Sequence, residues 1–512
     1  MLLLEDVGRL VLWLTLLVVS LNLVFLFFLI YRRIVRKHYF SQKDSARERY
    51  LAPVSAFVGG ELPLEQAAAL LRSAKRSAER EVLYRMLFTA STAETSERIS
   101  DLLFRLGYVR EWSQVAFGRR ASSKLIELTE QRQENAPRVR RSILLQPLYQ
   151  MRFMAVPRAI AVYNLGRLSP RHAHLFLSAA LTDPSPQVRR VAIEHMGRNR
   201  YPQALPQLLD ELQKAVEEEN DISLRSLKTA LIRFRLQDLE IFLPLLASPS
   251  RRARFFVIDS IRQICERAAA QSQINRGDFP PALCQVVLEK CQFDEFEDVR
   301  ARSAYVVKHF RDQSAIAMLR ALVQDANEFV RLHALRACSD IFFADLIPDL
   351  LARLKDERWR VREAAVQALH AMQARGRNAL FSFFADSSDQ FAAEQSCDEF
   401  QRKGLVPEVV AAIYSGGEAG ALAQRVASKM VSMGKTSVLF HLLTSSTSFA
   451  VRSGSMDALA TNPDSEFLAV LGTLSLQDPG EIGAKARQLL QRIQSGAAAF
   501  ASSAATAARS GA

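Results

Sequence analysis

The feature that most constrains this 512-residue chain is a phrase that returns at fixed spacing: an Asp, four residues, Val-Arg, and an Ala soon after. It occurs as Asp183, Val188, Arg189, Ala192; as Asp294, Val299, Arg300 with Ala304; as Asp325, Val330, Arg331, Ala334; and as Asp356, Val361, Arg362, Ala365. Val299, Val330 and Val361 stand 31 residues apart, and counting on by 30 meets Phe391, Ala421 and Val451, so six successive positions keep one register. A unit this short holds one pair of helices that cannot bury both apolar faces alone, so neighbouring copies must stack. In this reading the Asp caps the second helix of each pair, and the Val and Ala face the core at helical spacing. The Arg then reaches the Asp of a neighbouring copy, so Asp183, Arg189, Asp294, Arg300, Asp325, Arg331, Asp356 and Arg362 form a ladder of charge pairs.

The phrase resembles the HEAT-repeat superfamily, in the short form found in bacterial proteins and in phycobilisome-lyase-type repeats. The resemblance implies an all-α chain with an α-solenoid of HEAT-like helical hairpins over 137–494. Degenerate copies stand at Val139-Arg140, Leu224-Arg225 and Ala253-Arg254, and insertions around 217–221 and 268–281 disturb the period, the second ending in the exposed Pro280-Pro281. A scaffold that binds or regulates a protein partner, possibly a membrane enzyme complex, is the implied function; a bilin lyase or isomerase is the alternative the same resemblance raises.

Leu10 to Tyr31 is a run of 22 residues without a charge, long enough as a helix to span roughly 33 Å at about 1.5 Å per residue. Arg9 is the only base before it, beside Glu5 and Asp6, whereas Arg32, Arg33, Arg36 and Lys37 follow it. Basic residues stay on the cytoplasmic side, so the expectation is a single-pass transmembrane helix at 10–31 with residues 1–9 outside and the bulk in the cytoplasm of a bacterium, at its inner membrane. A cleaved signal peptide would carry its bases at the other end. Residues 32–136 read as a basic, irregular, membrane-proximal helical region, with helices over 64–74, 78–89 and 96–106; 495–512 reads as an Ala/Ser-rich frayed tail.

The formal charge of +13 is unevenly placed: 30 Lys/Arg face 15 Asp/Glu between 32 and 200, against 36 and 37 from 201 onward. The excess lies beside the expected anchor and would draw the region 32–200 as a whole to anionic lipid, while Arg32, Arg33, Arg36 and Lys37 singly read as fixing topology and Arg72, Lys75 and Arg76 as solvated positions on helix faces. Nucleic acid is disfavoured, because no basic stripe with interleaved aromatics crosses the repeats.

No catalytic constellation emerges, and the expectation is a protein that is not an enzyme and needs no cofactor or metal. Cys265, Cys284, Cys291, Cys338 and Cys397 form no C-x-x-C pair and read as buried apolar residues. His172 and His174 read as a surface turn without a third ligand. Gly434-Lys435-Thr436 lacks the first Gly of a phosphate loop, Lys429 standing there. The acids Asp294, Glu295, Glu297 and Asp298 fall at a predicted helix start, where they suit the dipole.

Overall fold

A computed structural model describes residues 2–130, 155–200, 202–217 and 224–510, and these form helices with no strand among them. The expected copy at Val139-Arg140, the boundary at 137 and part of the 217–221 insertion lie outside the described residues. The chain divides into two compact units, Met1–Phe234 and Arg235–Ala512.

The first unit opens with α1, Leu2–Gly59, a single helix of 58 residues, roughly 87 Å long at about 1.5 Å per residue. It continues past Tyr31 without a break, and its two halves have opposite environments. Every described side chain from Trp13 to Phe40 is exposed, although most are apolar. Beyond that point Ala46, Tyr50, Val54 and Phe57, at helical spacing on one face, are buried where α1 packs on α2 (Leu64–Leu71) and α3 (Ser77–Thr89). The amphipathic face appears where protein partners become available.

Helices α4 (Ser96–Arg105), α5 (Tyr108–Phe117) and α6 (Arg119–Glu130) follow. The first three helices after α1 lie close to the predicted spans, because Pro63, Gly107 and the apolar spacing mark their ends. Tyr84, Phe88, Tyr108 and Trp112 form an aromatic cluster, closed by Arg80 over the Tyr108 ring and Arg167 over Phe88. The unit ends with α7 (Ala155–Gly166), α8 (Pro170–Ala180), α9 (Pro186–Asn199), α10 (Leu205–Glu217) and α11 (Leu224–Leu231). His172 and His174 stand in α8 and are partly buried, so they do not form a surface turn: Pro170 sits in the first turn and starts a helix.

The second unit is a stack of helical hairpins. Its helices are α12 (Leu243–Leu246), α13 (Arg251–Ala269), α14 (Pro281–Glu289), α15 (Glu297–Val307), α16 (Gln313–Val323), α17 (Glu328–Ser339), α18 (Ile347–Arg353) and α19 (Trp359–Ala371). Then come α20 (Gln373–Asp386), α21 (Gln390–Arg402), α22 (Val406–Ser415), α23 (Gly417–Ser432), α24 (Ser437–Ser445), α25 (Phe449–Leu459), α26 (Ser465–Gln477) and α27 (Glu481–Ser510). The last helix runs through the Ala/Ser-rich stretch expected as a tail.

Alternate helices α13, α15, α17, α19 and α21 pack in sequence, each on the next. Val299, Val330 and Val361 are buried, as are Ala304, Ala334 and Ala365. The register does not hold beyond Val361: Phe391 and Ala421 are exposed, and Ala392 and Ala423 take the core positions nearby. The packing changes at the same place, since α23 rests on α20 and α22, and α25 on α22. There Gly454 of α25 comes so close to α22 that a Cβ would lie 1.7 Å from the Val410 carbonyl oxygen.

Candidate protein-interaction surface

The Asp of each repeat makes three kinds of bond at once. In the second unit, Arg254 donates from Nε and Nη2 to the two carboxylate oxygens of Asp294 (2.7 and 3.0 Å). Arg300 does the same to Asp325 (2.8 and 3.0 Å), and Arg331 to Asp356 (2.8 and 3.0 Å). Each Asp also accepts, through Oδ1, the N–H of the residue two places on: Phe296, Asn327 or Arg358. Its own carbonyl accepts from Nη1 of the Arg six places later, Arg300, Arg331 or Arg362.

The Asp is therefore not the helix cap. It stands three residues before the helix and ties the N-cap residue itself into an Asx turn, while Asn327, for example, caps α17 through Phe329 N–H. This geometry explains why Asp and Arg sit six apart in the sequence. One Arg grips the turn of its own repeat and, in the same plane, forks onto the carboxylate of the next.

The first unit contains a shorter version. Asp183 is paired bidentately with Arg158, both buried, and bonds Ser185 N–H. Arg189 donates to the carbonyls of Asp183 and Pro184. Among its described partners there is no carboxylate, and the stretch 218–223, where the next copy would place one, lies outside the described residues. Arg158 and Arg254 were not read as ladder members: one lacks the phrase and the other its preceding Asp.

In the second unit the ladder stops at Arg362. The next repeat offers Ser387 where an Asp is expected, and Asp386 turns to Arg425 (2.7 Å). Arg362 instead donates to Gln395 Oε1 (3.1 Å), and Gln395 returns a bond to the Trp359 carbonyl (3.0 Å). A groove of about 390 Å³ opens here between the first turn of α19 and the length of α21. Trp359 is 56% exposed and Phe391 72% exposed at its edge. Glu363, Glu394, Asp398 and Glu399 contribute carboxylates, against Arg362 and Arg402. Arg402 bonds Glu363 (2.9 Å) and Glu399. Glu394 accepts from Gln390 (3.1 Å) and Asp398 pairs with Lys435 (3.0 Å). Glu399 is only 5% exposed, and its Oε1 has no hydrogen-bond donor. Sequence reasoning missed this groove because Phe391 fell on a core register with Asp386 at the phrase's own distance before it, so nothing in the spacing marked the slip.

Arg32, Arg33, Arg36 and Lys37 are exposed on α1 just past the apolar run, and Arg72, Lys75 and Arg76 are exposed nearby in sequence. Lys435 and Gly434 lie in the turn between α23 and α24, where Gly434 has φ 73°. Asp298 pairs with Arg251 (3.0 Å). All five cysteines are buried and unbridged, and burial pushes the Cys291 and Cys338 thiols up to about 12. A second cavity, about 550 Å³ in the first unit, is lined by Glu97, Asp101, Phe104, Arg105, Arg171 and His172 among others. Among the described residues no group of three or more His, Cys, Asp or Glu is arranged to hold a metal ion.

The decisive repeat geometry, from Asp294 to Arg362, falls in one stretch. Residues 281–370 match the family described as HEAT repeats. This HEAT segment spans α14 to α19 and holds the Asp325 and Asp356 pairs whole. No curated protein matches the chain. Among solved structures, an engineered protein is 16% identical, with 80% of this chain and 98% of that one covered and a TM-score of 0.32. Kap121p bound to Pho4p is 14% identical, covering 84% and 53%, with a TM-score of 0.34. Human deoxyhypusine hydroxylase in complex with glycerol is 18% identical, covering 55% and 96%, with a TM-score of 0.21.

Proposed function

We propose that this protein is a non-catalytic scaffold, held on a membrane by residues 10–31 of α1, that presents its helical repeats to a protein partner. The supporting observation is α1 itself. Its described apolar side chains from Trp13 to Tyr31 are bare on every side, yet the same helix buries Tyr50, Val54 and Phe57 within the first unit. An apolar rod of this length in water exposes far more hydrocarbon than a soluble protein ordinarily leaves uncovered, while a bilayer core of about 30 Å covers it completely. A core helix would be buried and a surface helix would have one polar face; this segment is neither.

The charge flanks favour an outside N-terminus and a cytoplasmic bulk, at a bacterial inner membrane. The exposed Arg32, Arg33, Arg36 and Lys37 then lie at headgroup level, and the net positive charge of residues 32–200 draws the first unit toward anionic lipid. The scaffold role is supported by the groove at α19 and α21 and by a ladder whose ion pairs are structural.

Alkaline extraction of membranes from cells making the full chain tests the anchor: the protein is expected to stay with the lipid pellet. Single cysteines introduced at Glu5 and at Ser495 are expected to react with an impermeant maleimide from opposite sides. Release by alkali, or labelling of both positions from one side, would sink the anchored reading. Affinity purification from solubilised membranes is expected to bring down one protein partner in a fixed ratio.

A further inference from the structure

We propose that a groove between α9 and α11 binds a phosphate monoester, held by the guanidinium groups of Arg190, Arg225 and Arg233. The groove has a volume of about 250 Å³ and lies wholly within the first unit. This inference goes beyond the scaffold reading and does not depend on it.

Close packing of the two helices brings the arginines together. α9 and α11 lie directly against each other, and Gly197 comes so near that a Cβ there would stand 2.5 Å from the Ala230 Cα. Long side chains at the rims of so tight a contact splay outward and wall a cleft. Arg190 and Glu194, four apart and so on one face, line it from α9. Arg225 and Thr229, also four apart, line it from α11 with Ser226, and Arg233 closes it just past the end of that helix.

The described residues leave the charge of this groove unmatched. Glu194 is the one acid among its lining residues, and its carboxylate pairs with Arg198 at 3.0 Å. None of the guanidinium groups of Arg190, Arg225 and Arg233 has an ion pair or a hydrogen bond among the described residues. Arg225 stands at the ladder arginine's place in the copy Leu224-Arg225, and the copy at Ala253-Arg254 carries Ser248 where others carry Asp, so the phrase supplies no carboxylate for it. Arg190 and Arg225 are exposed and Arg233 is half-buried, so a ligand from solvent can reach them. Like charges grouped in one cleft repel, and an anion bound among them reverses the sign of that interaction.

The donors select the anion. Guanidinium groups fork onto the paired oxygens of phosphate as they do onto carboxylate, but a carboxylate brings one charge and two oxygens to three arginines. A phosphate monoester brings nearly two charges and three terminal oxygens. The Ser226 hydroxyl, with no bond of its own among the described residues, adds a neutral donor; that of Thr229 is turned to the Arg225 carbonyl at 2.7 Å. At about 250 Å³ the groove holds the phosphate and a small carrier such as a glycerol unit. A soluble ester and the headgroup of a phosphomonoester lipid present this same chemistry.

The test uses the full chain, because Glu218, Glu219 and Asp221 precede α11 and lie outside the described residues. In detergent micelles it is titrated calorimetrically with glycerol 3-phosphate. Saturable binding is expected, with Kd raised roughly tenfold in Arg225→Gln and in Arg233→Gln. Arg110→Gln, which removes an exposed arginine of the first unit outside the groove, is expected to bind as the wild type does. Affinity is expected to fall as pH drops through about 6, where the ester gains a proton while the arginines keep their charge. The lipid source is read in nanodiscs of phosphatidylcholine with and without phosphatidic acid. Slower hydrogen exchange in α9 and α11 with phosphatidic acid, lost in Arg225→Gln, assigns the site to a headgroup; titration by glycerol 3-phosphate without that protection assigns it to a soluble ester. Neither binding nor protection, equal weakening in Arg110→Gln, or an affinity for glycerol 3-phosphate that ignores pH would each overturn the inference.

Discussion

Replacing Asp356 with Ala removes the most heavily bonded step of the ladder. The carboxylate, 3% exposed, holds Arg331 through two bonds, lies 3.5 Å from Arg353 and accepts Arg358 N–H at 3.1 Å. What remains is the Arg331 guanidinium, 13% exposed, still bonded through Nη1 to the carbonyls of Asp325 and Ala326 but with Nε and Nη2 unpaired. Removing one member of a buried pair costs about 3–5 kcal/mol. The surviving Nη1 bonds place Asp356→Ala at the low end, near ~3 kcal/mol. Asp356→Asn keeps the Asx turn and loses only the charge, so about 1–2 kcal/mol is expected. The double variant Arg331→Met with Asp356→Ala removes both charges and is expected to cost less than the sum of the single changes, by roughly 1–3 kcal/mol.

Stacked repeats open locally, so the assay is hydrogen exchange of the full chain in detergent micelles, followed over residues 325–371. The pH dependence has a fixed sign. Burial pushes the Asp356 carboxyl up, but the bonds from Arg331 and Arg358 N–H outweigh it and hold the group below its ordinary 3.8. Its stabilisation is present above that value and fades as pH falls through the lower, folded value, so the variant and the wild type converge in strong acid. Exchange in Asp356→Ala within about 0.5 kcal/mol of wild type at neutral pH, or loosening spread equally over the first unit, would refute the reasoning.

Three further outcomes follow from buried groups. Gly454→Ala forces α25 away from the Val410 carbonyl and is expected to cost about 1–3 kcal/mol, with exchange accelerated in α22 and α25 and unchanged at Asp356. His195 is 0% exposed, and burial lowers its pKa from 6.5 to about 4. The unfolded state therefore gains protons first, so the first unit loses up to ~3 kcal/mol as pH falls from about 6.5 to about 4 and no more below that; His195→Gln is expected to flatten that part of an acid titration. The five thiols are buried, with Cys397 raised to about 11, so none is expected to react with a maleimide until the protein is unfolded.

The helical class and the hairpin stack were legible because each repeat writes its core into the sequence: Val330 and Ala334 are apolar, four apart and both buried. The Asp–Arg partnership was legible in outline, since residue types with that spacing have few other uses. Its atomic form was not. An Asp before a helix reads as a cap, and only the backbone conformation reveals that it bonds the N-cap residue's N–H. Arg158 was invisible for a related reason, as nothing in its own neighbourhood announces a carboxylate 25 residues later. Phe391 was misread because periodicity assigns a face without sensing a slip of one residue, which the structure makes by burying Ala392 instead.

That slip has a local physical origin. Only Met372 separates α19 from α20; Gln373 takes a positive φ of 56°, and Gly376 approaches so closely that a Cβ would stand 2.0 Å from the Leu369 carbonyl oxygen. This tight reversal replaces the longer turns, 308–312 and 340–346, that join the earlier hairpins to one another. The next Asp then falls at 386, one place short of register, and pairs with Arg425 rather than Arg362. Without a carboxylate to fork onto, Arg362 settles for Gln395, and the start of α21 presents Phe391 outward. A regular ladder would have spent its charges internally at this junction. Its interruption leaves Arg362 without a carboxylate, so restoring the ladder with Ser387→Asp is expected to recruit Arg362, displace Gln395 and slow hydrogen exchange over α19 and α21. Unchanged exchange over α19 and α21 in a Ser387→Asp protein would show that the broken step does not limit the stability of this junction.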